Sequence, residues 1–134
     1  MKIYYLFCIV HLTMNISSAQ PSGELELSVP DVMPKFHGGE TEMFKFINEK
    51  INYSDEDTIN GIAGELIMTF VVDTAGMITD LAIKKGVSNN IDLEIKRIFQ
   101  LMPAWIPGRV NRQNINCRFS ISLMINAAMK SVYK

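Results

Sequence analysis

Two stretches of the chain alternate apolar and polar side chains with the period of a β-strand. In the first, Leu66, Met68, Phe70 and Val72 are separated by Glu65, Ile67, Thr69 and Val71, so one face is wholly apolar and the other partly polar. Asp73-Thr74-Ala75-Gly76 follows as a hairpin loop with glycine at its end, and Met77 to about Lys84 supplies an antiparallel partner. The second stretch is the cleanest period-two run in the sequence. There Cys117, Phe119, Ile121, Leu123 and Ile125 alternate with Arg118, Ser120, Ser122 and Met124.

Two other stretches carry the period of a helix. Met43, Ile47 and Ile51 recur at spacing four beside Phe44, with Glu40 and Glu42 in the first turn, where the helix dipole favours negative charge. Ile91, Ile95, Ile98, Phe99 and Met102 form a second stripe, opened by a cap at Ser88 and Asn89 or Asn90 and stopped by Pro103. Between the first helix and the first strand, Ser54 to Asp57 reads as the cap of a short helical turn that Gly61 ends. The pattern predicts an α+β domain: a small antiparallel sheet of about three strands packed on two helices, in the order helix-strand-strand-helix-strand.

A corner links the second helix to the last strand. Met102-Pro-Ala-Trp-Ile-Pro-Gly108 sets the only tryptophan between two prolines, which fix φ and cannot continue a helix or an inner strand. Pro103, Trp105, Pro107 and Gly108 are therefore expected to form a rigid structural corner, with the Trp105 ring buried over the seam between helix and sheet.

The 134 residues suffice for one domain. Lys2, the mostly apolar run Ile3 to Ile16 and the small residues Ser17-Ser18-Ala19 mark residues 1–19 as a signal peptide cleaved before Gln20, with an uncleaved anchor as the alternative. Residues 20–33 read as a short flexible lead, 34–126 as the domain and 127–134 as a tail. Cleavage would leave Cys117 as the sole cysteine, without an internal disulfide and buried as an inert thiol. Gln20 to Ile83 holds twelve Asp/Glu against three Lys/Arg, and Lys84 to Lys134 holds two against nine. This asymmetry points to an acidic partner. With export and a pI near 6.1, that partner is not nucleic acid.

Three motifs in this order, Pro34-Lys-Phe-His-Gly-Gly-Glu40, the hairpin Phe70 to Gly86, and Met102 to Gln113 ahead of the alternating last strand, resemble the TonB C-terminal domain family. The resemblance spans about Pro34 to Ile125. It departs from the family's usual Tyr-Pro at Tyr53-Ser54. It implies a periplasmic, non-catalytic α+β domain that grips a segment of an outer-membrane TonB-dependent transporter, which adds as a strand beside the last strand of the domain. It also implies coupling to inner-membrane motor proteins where the chain is anchored, and thus energy-dependent transport.

Candidate chemistry agrees with recognition rather than catalysis. His37 is the only histidine after residue 19, so no second histidine or cysteine pair can complete a metal or catalytic site, and no cofactor is expected. Arg109, Arg112 and Arg118, with Ser120 and Ser122, lie on the loop and strand assigned to the partner. An edge strand flanked by arginines suits an acidic peptide. The alternative is a structural protein that pairs its last strand with its own copy to form a homodimer.

Overall fold

The computed structural model describes residues 30–130. The signal-peptide reading of residues 1–19, most of the lead and the end of the tail lie outside the described residues. Helix α1, Gly39–Lys50, and the short α2, Asp55–Ile59, precede strand β1, Ala63–Val72. Strand β2, Ile78–Lys85, helix α3, Asn89–Gln100, and a hairpin of β3, Gly108–Val110, and β4, Gln113–Ile115, come next. Strand β5, Cys117–Asn126, and a terminal turn α4, Ala127–Lys130, complete the chain. The anticipated order and three-stranded sheet are present.

The sheet is antiparallel in the order β2-β1-β5, so the longest apolar strand lies in the middle. Strand β1 pairs with β5 without a break in register, from Ala63 opposite Asn126 to Val72 opposite Cys117. Leu66, Met68, Phe70 and Val72 thereby share one face with Cys117, Phe119, Ile121, Leu123 and Ile125. All nine are buried against Met43 and Ile47 of α1 and Ile91, Ile95, Ile98 and Phe99 of α3. The alternation in sequence thus becomes a two-layer core. Cys117 sits in that layer fully buried and is disulfide-bonded, where the sequence pattern leads us to expect a buried thiol.

The two helix starts are locked by one polar cluster. The Asp57 backbone N–H donates to Ser54 Oγ at 3.1 Å, and the Ser54 hydroxyl donates back to Asp57 Oδ2 at 2.5 Å, a reciprocal cap. Asn90 Nδ2 donates to Ser54 Oγ at 3.3 Å, and Ser88 Oγ accepts from Ile91 N–H at 3.2 Å, so the cap of α2 reaches the cap of α3. Asp57 is buried, and hydrogen bonds from Ser54 first, then Ser88, hold its carboxyl below the usual carboxylate range. Because the folded pKa is depressed, the stabilisation is complete above the ordinary carboxylate pKa of about 4 and is lost as pH falls through the folded value. Asp57→Asn should therefore lower the denaturant midpoint at pH 7, with the gap to wild type closing below about pH 4. A gap that is constant with pH would show that the charge is not what holds the two caps.

Candidate functional site

The corner builds the floor of the site. Trp105 is 6% exposed, and its ring meets Phe36, Phe70 and Phe119 at centroid distances of 5.8, 5.5 and 6.1 Å. These edge-on and tilted geometries are the favourable ones for aromatic pairs. The β1–β2 turn docks onto the same corner, since Trp105 N–H donates to the Gly76 carbonyl at 2.7 Å. Pro103 is exposed, Pro107 half-buried and Gly108 buried where β3 begins. The end of the lead and the start of the domain are tied in as well: Val32 bridges to Arg109 and Lys35 to Ile106. Buried Trp105 Nε1–H has no acceptor among the described residues.

Beside this floor, β5 presents an edge that is open among the described residues. The Ala127 N–H donates to the Ile62 carbonyl, and that pair continues the β1–β5 register. In an antiparallel ladder, hydrogen-bonded pairs recur every second residue, so Cys117, Phe119, Ile121, Leu123 and Ile125 turn their main-chain groups toward β1. Arg118, Ser120, Ser122 and Met124 therefore aim theirs away from the sheet. No described segment pairs with that side of β5.

Two side chains of the same row are committed elsewhere. The Ser122 hydroxyl donates to Glu65 Oε1 at 2.6 Å, and Lys85 Nζ reaches Glu65 Oε2 at 3.2 Å, a clamp across all three strands. The Ser122 bond, with Lys85 after it, holds the Glu65 carboxyl below its ordinary range. Arg118 crosses over β1 to an ion pair with Asp80 of β2. Ser120 lies between them, half-buried. The edge is left as bare main chain, with Met124, 63% exposed, near its end.

Arg109 and Arg112 lie apart from this row, on the β3–β4 hairpin. Arg109 Nε donates to Asn114 Oδ1 at 3.1 Å, and Arg112 occupies the exposed tip. The five residues proposed from sequence are thus not brought together: Arg118, Ser120 and Ser122 share β5, and the two other arginines share the hairpin. Sequence reasoning passed over Pro34, Lys35, Phe36 and Met43. With Trp105, Phe119 and Ile121 these line a cavity of about 120 Å³ beside the open edge. Its only advance signal was Pro34-Lys-Phe36, an aromatic inside a loop.

Among the described residues, no group of three or more His, Cys, Asp or Glu could hold a metal ion, and no helix is long and apolar enough to cross a membrane. The fold is α+β, with one sheet face covered by helices and the other bearing the polar clamps. Two solution structures of the Helicobacter pylori TonB-CTD are similar to the chain. One is 20% identical, with a TM-score of 0.46 over 64% of this chain and 78% of its own. The other is 20% identical, with a TM-score of 0.44 over 65% of this chain and 91% of its own. No family model and no curated protein matches the sequence.

Proposed function

We propose that the chain is a non-catalytic, periplasmic module of the TonB C-terminal type. It captures an extended, acidic segment of an outer-membrane transporter as a strand added to β5 and so takes part in energy-dependent transport. The observation that carries this reading is the β5 edge, unpaired among the described residues, where four alternate outward positions offer main-chain donors and acceptors while the Arg118 and Ser122 side chains are held over the sheet. The motifs from Pro34 to Gln113 support the same reading, and the basic second half of the chain favours a negatively charged partner.

Amide exchange on the protein, with and without an acidic, strand-forming peptide, tests it. New protection is expected at Arg118, Ser120, Ser122 and Met124 and not along β2. Ser120→Pro removes an outward donor and leaves the β1 ladder intact, so it should weaken the peptide by roughly tenfold, about the worth of one hydrogen bond, with little change in folding. Protection on β2, or none, overturns strand addition. A concentration-independent dimer with β5 amides already protected would favour self-pairing instead.

A further inference from the structure

The open edge and the cavity stand side by side, and the parity of β5 says which part of an added strand would meet the cavity. Residues hydrogen-bonded to Arg118, Ser120 and Ser122 place their side chains over the solvent face of the sheet, because directly paired residues share a face. Residues opposite Phe119 and Ile121 place theirs on the helix side. Phe119 and Ile121 are themselves two walls of the cavity; Pro34, Phe36, Met43 and Trp105 supply the other apolar walls. Gly39 and Glu40, at the start of α1, and the exposed Lys35 stand at its rim.

The geometry points to a specificity subsite: the cavity takes one aliphatic side chain, of valine to leucine size, from the position of the added strand that faces Phe119 or Ile121. The inference rests on the strand-addition reading and adds the residue that strand must carry. A volume of about 120 Å³ matches one such side chain and is too small for a helix face or a folded surface. The wall is apolar, so it discriminates against charge at that one position. Lys35 and Glu40 both line it, so charge of each sign stands beside the apolar wall. The segment therefore carries an aliphatic residue at the inward position.

Peptide variation tests this without disturbing the fold. A set of acidic, strand-forming peptides of fixed composition carries a single leucine stepped along the sequence, with alanine elsewhere. Binding is followed by calorimetry, by β5 amide protection and by the emission of Trp105, the only tryptophan and a wall of the cavity. Leucine at one inward position should bind about tenfold or more tighter than the all-alanine peptide, in line with burial of one aliphatic side chain. That peptide alone should shift the tryptophan emission. Leucine at the neighbouring outward positions should do neither. If β5 amides are protected but affinity and emission are indifferent to where leucine stands, the subsite is wrong and strand addition survives. If no peptide protects β5, the strand-addition reading falls and the subsite with it.

Discussion

Trp105→Ala is expected to lower stability by about 3 to 5 kcal/mol, the range for removing a large aromatic from a packed core. The ring contacts Phe36, Phe70 and Phe119, which belong to the loop before α1, the central strand and the last strand. Its loss would open a void where three parts of the fold meet, and no single part could move in to fill it without leaving another. The denaturant midpoint measures the effect. A near-zero change, accompanied by loss of peptide binding, would reassign Trp105 from core support to contact surface.

Gly76→Ala should rank beside it. Gly76 has φ 82, and a Cβ there would lie 2.0 Å from the Trp105 carbonyl oxygen, a backbone atom that cannot swing aside. The turn would have to lift off the corner and give up the bond from Trp105 N–H to its own carbonyl. Left-handed strain of about 1 to 2 kcal/mol, about 1 for the hydrogen bond and the added clash give a loss of about 3 kcal/mol or more. Gly39→Ala is the matched control: its φ is 79, but a Cβ there meets nothing within 4 Å. Strain alone should cost it the same, about 1 to 2 kcal/mol, without the clash or the lost hydrogen bond. Chemical denaturation of the pair separates the two causes, and equal losses would mean that the approach of turn to corner is not tight.

Period and punctuation made the two-layer core legible. Alternation from Leu66 to Val72 and from Cys117 to Ile125 marked buried rows that the structure places face to face, and the stripe from Ile91 to Phe99 marked the helix that covers them. The corner was legible because proline restricts φ wherever it stands. The β3–β4 hairpin was not. Its turn uses Asn111 and Arg112 at φ 48 and 66, without the glycine that usually announces such a turn. Its fit depends on Asp31, whose carboxylate accepts from Asn111 N–H at 2.7 Å across the whole domain in sequence.

The candidate site was legible only as a strand. That β5 would be an edge depends on sheet order, which alternation does not encode. Arg118 reads as a free cation because nothing near it in sequence is acidic, whereas Asp80 reaches it only through the pairing of both flanking strands with β1. The cavity depends likewise on Phe36 and Trp105, far apart in the chain, arriving at one wall.

The central position of β1 also governs when the fold can exist. Strand β2 reaches β1 through a short turn, but β5 pairs with it only after α3, the corner and the hairpin have been traversed, and Ala63 waits for Asn126. Until then, one side of β1 and the aromatic cluster around Phe70 lack Phe119 and the row beyond it. Long-range closure of this kind is slow, because loop entropy is lost before contacts repay it. A chain growing from its N-terminus can make the β1–β2 hairpin and α3 early, yet the core closes only once β5 is present. Truncation ahead of Cys117 would leave not a smaller domain but an exposed apolar sheet, which makes the C-terminal strand the step that commits the chain to folding.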